Sequence, residues 1–143
     1  METREPLSEA LLEKLREGKM VQLAPKGISM IPFIRGEQDK VLVRKAETVG
    51  VGDIVLVVYR GNMILHRVYA IDGPRITLMG DGNLQGTEVV DAEEVLGTVL
   101  QIIKPNGRYL KPGKAWLWRH LLPCRRFLLK INRKWNKHIR KQQ

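Results

Sequence analysis

Cysteine is nearly missing from this sequence of 143 residues. Cys124 is the only one, so the chain cannot form an intramolecular disulfide, and a reducing compartment fits this composition. Its neighbours Leu121, Leu122 and Phe127 are typical of the surroundings of a small buried hydrophobic side chain rather than of a reactive thiol.

Long apolar segments are missing as well. No run of 18 or more apolar residues occurs, so we predict that no segment crosses a bilayer. The first six residues, Met-Glu-Thr-Arg-Glu-Pro, carry charges of both signs and lack the apolar centre of a secretory signal. We therefore expect a cytoplasmic location, with peripheral contact to a membrane surface as a further option.

Acidic residues are absent from the last part of the chain. From Lys104 onward the sequence has 13 Lys and Arg and no Asp or Glu, whereas the first 103 residues have 12 Lys and Arg and all 15 acidic residues. The net charge of +10 therefore combines a nearly neutral body with a strongly basic tail.

The remaining composition is that of one folded domain with an appended segment. Hydrophobic residues make up 43% of the chain and charged residues 28%, which excludes a disordered protein. The length suffices for one sizeable core. We predict a β domain over residues 1–113 and a basic amphipathic helical segment over residues 114–143.

A two-residue alternation of hydrophobic and polar positions dominates the body of the chain. A short helix is predicted over 7–18 and a strand over 20–23. Five further runs are rich in Val, Ile, Leu and Tyr and are separated by Gly, Asp, Asn and Pro: 40–45, 53–60, 63–71, 75–79 and 95–103. This pattern predicts a mainly β fold, a coiled antiparallel sheet or barrel. We interpret the acidic stretch 84–94 as a solvated loop.

The stretch 27–35 concentrates apolar area around one hydroxyl group. Ser29 stands among hydrophobic residues, Gly27 permits close backbone approach, and Pro32 makes the chain stiff and extended. Ile28, Met30 and Pro32 are candidates for the wall of a substrate groove. Such a serine suits an acyl-transfer nucleophile if a base is near, and a buried turn serine is the alternative.

His66 is the candidate base. Alternation along 63–71 places it on one face with aliphatic residues, where loss of solvation favours the neutral imidazole that accepts a proton. A core histidine bonded to backbone is the alternative. Asp81, in Gly80-Asp81-Gly82-Asn83, either forms a hairpin turn or orients an imidazole, and Asp91 is a second candidate for that part.

Five blocks of this sequence occur in the order and approximate spacing of the type I signal peptidase family. They are Gly27-Ile28-Ser29-Met30-Ile31-Pro32, Asp39-Lys40-Val41-Leu42-Val43, Gly52-Asp53-Ile54-Val55-Leu56, His66-Arg67-Val68 and Gly80-Asp81-Gly82-Asn83. The chain resembles the Ser-His branch of that family over about residues 20–103, because His66 stands where bacterial members carry a lysine. It fits less well the self-cleaving SOS repressors, which share the fold and use a Ser-Lys dyad.

This resemblance implies a serine endopeptidase that cleaves an extended signal, leader or pro-peptide. Ser29 would be the nucleophile, His66 the general base and Asp81 the supporting acid. The backbone at Ser29 and Gly27 would form the oxyanion hole, because Gly27 lacks the hydroxyl that some members carry there. No cofactor or metal is expected.

The alternative function is a non-catalytic module on the same fold that binds a peptide, a membrane or nucleic acid. Trp116, Trp118 and Trp135, with nine Lys and Arg between Arg119 and Lys141, suit a helix lying on an anionic membrane surface through residues 114–141. The same helix could instead pack on the β domain. Nucleic acid is a less favoured partner, because the sequence shows no reading motif.

Overall fold

The structure is a computed structural model that describes residues 2–3, 9–27, 30, 32–82 and 86–115. Ile28 and Ser29 lie outside the described residues. The basic helical segment predicted over residues 114–143 also lies outside them, apart from Lys114 and Ala115.

The predicted helix, the strand after it and the five predicted β runs all occur in the structure, together with elements that the sequence pattern did not predict. Within the described residues, a short first strand is followed by one α-helix, eight further strands and a single turn of 3-10 helix. Their bounds are β1 Glu2–Thr3, α1 Glu9–Arg16, β2 Val21–Leu23, β3 Lys40–Arg44, β4 Ile54–Tyr59, β5 Asn62–Asp72, β6 Arg75–Met79, β7 Glu88–Asp91, the 3-10 turn Ala92–Glu94, β8 Val95–Ile103 and β9 Tyr109–Leu110.

All strand pairs are antiparallel and belong to one curled sheet. The sheet order is β2-β3-β8-β4-β5-β6-β7, with β1 pairing to β5 and β9 to β8. Register shifts in β3–β8, β4–β8 and β5–β6 mark irregularities of the kind that bend a sheet. The predicted mainly β, coiled antiparallel fold is therefore confirmed.

Both faces of this sheet are covered by hydrophobic side chains. One cluster contains Leu65 with the helix residue Leu15, and the other contains Ile64 and Val68 from the same strand. Successive residues of a strand point to opposite faces, so β5 contributes to both clusters. A sheet buried on two sides explains why the strands Ile54–Tyr59 and Asn62–Asp72 have continuous apolar runs at their centres.

The helix α1 packs one side on the sheet and ends at a glycine. Leu15 is only 2% exposed, and Leu11 packs against the same cluster. Gly18 has a φ of +80°, and its N–H donates to the carbonyl of Leu15. Glycine adopts this conformation without a Cβ clash, so it terminates the helix there.

The stretch 84–94 is not only a loop, and this part of the sequence interpretation was wrong. Its residues Glu88–Asp91 form strand β7, in which Val90 lies opposite Ile76 of β6 and is 3% exposed. The acidic residues obscured a short alternation, because a single buried valine suffices to fix a four-residue strand on an existing edge. Asp91, Glu93 and Glu94 are exposed, as expected.

Among the described residues, no helix has both the length and the apolar character that crossing a membrane would require.

Candidate active site

His66 lies near the centre of β5 and is 4% exposed. It is paired with Val55 of β4, and the hydrophobic residues Ile64 and Val68 flank it on the same face. Its Nδ1 atom lies 2.8 Å from Oε2 of Glu88, the first residue of β7. The hydrogen-bond partner of the imidazole is therefore a residue 22 positions away that only the sheet brings close.

The surroundings of His66 favour the neutral imidazole. Burial lowers the pKa of His66 below its ordinary value of 6.5, and the hydrogen bond to Glu88 acts in the opposite direction without cancelling that effect. The positive charge of the amino terminus lowers this pKa further, while the charges of Glu88 and Asp81 raise it. At neutral pH the ring is therefore uncharged and able to accept a proton.

Next to His66, Arg67 forms a buried ion pair with Asp81. Both side chains are fully buried, and the guanidinium donates through Nε at 2.8 and 3.0 Å and through Nη2 at 2.8 Å to the carboxylate. Its Nη1 donates to the carbonyls of Gly52 at 2.7 Å and Gly113 at 3.0 Å. This planar arrangement of donors explains why arginine, and not lysine, suits the position.

The loop that carries Ser29 is closed at its base by two glycines. The N–H of Gly36 donates to the carbonyl of Gly27 at 3.2 Å, and the N–H of Glu37 donates to that of Pro25 at 3.0 Å. A Cβ on Gly36 would lie 2.4 Å from both N and O of Gly27. The two backbones approach so closely that residue 36 has no room for a side chain.

Within this loop, hydrophobic anchors and a tight turn fix the residues after Ser29. The carbonyl of Met30 accepts hydrogen bonds from the N–H groups of Phe33 and Ile34, both at 3.0 Å. Met30 and Ile34 are fully buried in the same core cluster. Lys104 donates to the Phe33 carbonyl at 3.1 Å and to Asp39 Oδ2 at 2.7 Å, which ties the end of the loop to the sheet.

The same loop contacts the Arg67–Asp81 pair. The guanidinium carbon of Arg67 lies 5.1 Å from the centre of the Phe33 ring, a cation–π contact. The backbone N–H of Asp81 donates to Sδ of Met30 at 3.4 Å. Through Arg67 and its partner Asp81, these contacts hold the loop against β5 at the residue that follows His66.

The predicted site residues thus occupy several different environments. Gly27 is exposed with a φ of +94°, Pro32 is half-buried, and Met30 is a core residue rather than a surface one. Asp81 binds Arg67, and Asp91 is exposed opposite Arg75 in the sheet. The roles assigned to them stay predictions, as do those of Ser29 and Ile28, which lie outside the described residues.

Glu88 was missed at the sequence level. The sequence analysis interprets the stretch around Glu88 as a solvated loop. A loop residue 22 positions from His66 gives no reason to expect contact between the two side chains. The alternation in Glu88–Asp91, with Val90 as the buried position, was the signal that could have placed Glu88 on a strand. Among the described residues, no group of three or more His, Cys, Asp or Glu is arranged to hold a metal ion.

A family model described as Peptidase S24-like matches residues 2–100, which is more than two thirds of the sequence and includes Ser29, His66, Asp81 and Glu88. No curated protein matches the chain.

Proposed function

Because the chain belongs to the Peptidase S24-like family, we propose that it is a serine endopeptidase with Ser29 as nucleophile and His66 as general base. The observation that carries this proposal is the state of His66. A buried imidazole with a lowered pKa, bonded through Nδ1 to a carboxylate, has the properties that a base for a serine requires.

Glu88 is the third residue of the proposed catalytic site, the carboxylate that orients the imidazole. With the Nδ1 proton donated to Glu88, the lone pair of the ring is on Nε2, so the carboxylate selects the tautomer that accepts a proton from a serine. Glu88 also stabilises the imidazolium that forms during the reaction. Its side chain is 17% exposed and that of His66 is 5% exposed, so water screens the interaction only weakly.

The reaction then follows the usual course of acyl transfer. Oγ of Ser29 attacks the carbonyl carbon of the substrate while its proton passes to Nε2 of His66. The imidazolium returns this proton to the leaving amine as the C–N bond breaks, and water hydrolyses the acyl-enzyme with the same base. The backbone N–H of Ser29, next to the flexible Gly27, is the proposed oxyanion donor.

Asp81 acts on the site through Arg67 in this scheme. Each oxygen of its carboxylate accepts from the guanidinium, and the guanidinium in turn contacts Phe33 of the serine loop. We assign Asp81 a positioning role that keeps the loop against β5, while Glu88 contacts the imidazole.

The proposed substrate is an extended signal, leader or pro-peptide with small side chains before the cleaved bond. The fold supports an extended substrate, because the strand edges of an antiparallel sheet bind peptides by adding a strand. Signal-peptide processing and cleavage of a pro-peptide would share this geometry.

The test uses a library of extended peptides with small residues, incubated with the full chain and read by mass spectrometry. Cleavage should disappear in Ser29→Ala and His66→Ala. Ser8→Ala and His120→Ala are matched controls, since Ser8 is the other serine of the sequence and His120 lies in the basic tail. Cleavage retained in either site variant would contradict the mechanism, and peptide binding without cleavage by the unmodified protein would favour the non-catalytic module.

A further inference from the structure

Strand β5 has two edges, and they are covered by different partners. β4 pairs with one edge from Asn62 to Arg67. β6 pairs with the other edge only from Arg67 to Asp72. On that second edge, the part of β5 that leads up to His66 is covered, among the described residues, by β1 alone.

The register of β1 places it directly beside the proposed base. Thr3 lies opposite Met63 and Glu2 opposite Ile64, in antiparallel pairing. Ile64 precedes His66 by two residues, so both side chains lie on the same face of β5. Because the pairing is antiparallel, the direction from Thr3 to Glu2 leads along this edge toward His66.

We propose that β1 is an inhibitory strand that this chain supplies to its own active site. It pairs with the edge of β5 on which an extended peptide must lie to bring its backbone next to His66, so substrate binding requires displacement of β1. This inference rests on the proposed function, because it identifies where the peptide substrate pairs and what competes with it.

Two features favour an inhibitory strand over a substrate in cis. Glu2 and Thr3 lie opposite Ile64 and Met63, so neither pairs with His66 itself. The strand has only two residues, which makes its pairing weak enough to exchange with a longer peptide.

An inhibitory strand lowers the apparent affinity of the chain for its peptide substrate. A peptide binds only the fraction of molecules in which β1 is displaced, and its apparent dissociation constant rises in inverse proportion to that fraction. Releasing β1 should therefore tighten peptide binding by about three- to tenfold. A strand that only shields an exposed sheet edge from aggregation would give no such gain.

The experiment uses the full-length chain in a Ser29→Ala background, so that binding is measured without hydrolysis. Glu2→Pro and Thr3→Pro together remove two backbone donors from β1, while Glu2→Ala with Thr3→Ala is the matched control that keeps them. The probe is a fluorescein-labelled twelve-residue peptide with alanine at every second position, followed by fluorescence anisotropy.

The proline variant should bind the probe about three- to tenfold more tightly than the alanine control. Equal or weaker binding by the proline variant would overturn the proposal, and so would failure of both forms to bind. Tighter binding in the proline variant together with no hydrolysis by the Ser29 protein would retain the inhibitory strand and contradict the peptidase function.

Discussion

Nδ1 of His66 lies 2.8 Å from Oε2 of Glu88, and this contact joins strand β5 to β7, the last strand at one edge of the sheet. The two residues are 22 positions apart and meet because β6 pairs with β5 on one side and with β7 on the other. The proposed catalytic base therefore depends on a correctly paired edge strand.

Replacing Glu88 by Gln should change both the rate and its pH dependence. Glu88 raises the pKa of His66, so its neutralisation should lower that pKa further and move the acidic limb of the kcat/KM profile to lower pH. The amide can also donate to Nδ1 and select the wrong tautomer, so the plateau should fall by about 10²- to 10⁴-fold. Glu94→Gln is the control, because Glu94 is exposed. An unchanged plateau would exclude Glu88 from the reaction.

The lowered pKa of His66 predicts how stability varies with pH. Well above pH 6.5 the imidazole is neutral in both the folded and the unfolded chain and contributes nothing to the pH dependence of stability. As the pH falls below 6.5, the unfolded chain takes up the proton first, so the folded state loses stability until the pH passes the lowered pKa. The free energy of unfolding, measured with urea at pH 7.5 and pH 5, should therefore fall less for His66→Gln than for the unmodified protein. An equal decrease in both proteins would contradict the burial-lowered pKa.

The Arg67–Asp81 pair should be costly to break on one side. Arg67→Met leaves the Asp81 carboxylate fully buried without its partner and should reduce the free energy of unfolding by about 3–5 kcal/mol. Lys19→Met provides the comparison, because the Lys19–Glu17 pair is largely exposed and its loss should change stability by less than about 1 kcal/mol.

A double variant separates a charge effect from a packing effect at this site. Replacing Asp81 by Leu in the Arg67→Met protein should recover part of the lost stability, because the unpaired buried charge is gone. Peptidase activity should stay low in the double variant, since Phe33 and the serine loop have lost their guanidinium contact. Full recovery of activity would argue against a positioning role for the pair.

The closed base of the serine loop gives a test in which no polar group is changed. Gly36→Ala would place a methyl group 2.4 Å from the Gly27 backbone, so the two loop ends must separate. We expect the free energy of unfolding to fall by about 1–3 kcal/mol. The rate of peptide cleavage should also fall, because the loop that carries Ser29 is displaced. Gly50→Ala is the matched control, because its nearest contact is the flexible end of Lys114 at 3.3 Å. Normal cleavage by Gly36→Ala would mean that the loop base does not position Ser29.

The basic tail predicts binding to anionic membranes. The full chain should bind vesicles that contain phosphatidylserine, because residues after Lys114 include many Lys and Arg and all three Trp of the sequence. This binding should weaken with added salt, which screens the charges. A chain ending at Lys114 should lose this binding. Co-sedimentation measures it, and neutral phosphatidylcholine vesicles are the control. Equal binding by both chains would exclude the tail as the membrane contact.

Local pattern was sufficient for most of the fold. The run predicted at 40–45 is the strand Lys40–Arg44, and the runs at 75–79 and 95–103 are the strands Arg75–Met79 and Val95–Ile103. These agree because alternation of burial is a property of neighbouring residues and needs no knowledge of the partner strand. The strand at Glu88–Asp91 was missed because it has only one buried residue to reveal the alternation.

By itself the sequence determined that the chain is a β domain and that His66 lies on an aliphatic face. Only the tertiary structure decided which acid meets each base: Glu88 meets His66, Asp81 meets Arg67, and β1 covers the edge beside them. The physical reason is that these contacts depend on which strands pair and in what register, and a shift by one residue turns every side chain to the other face of the sheet. Composition and spacing along one strand do not contain that information.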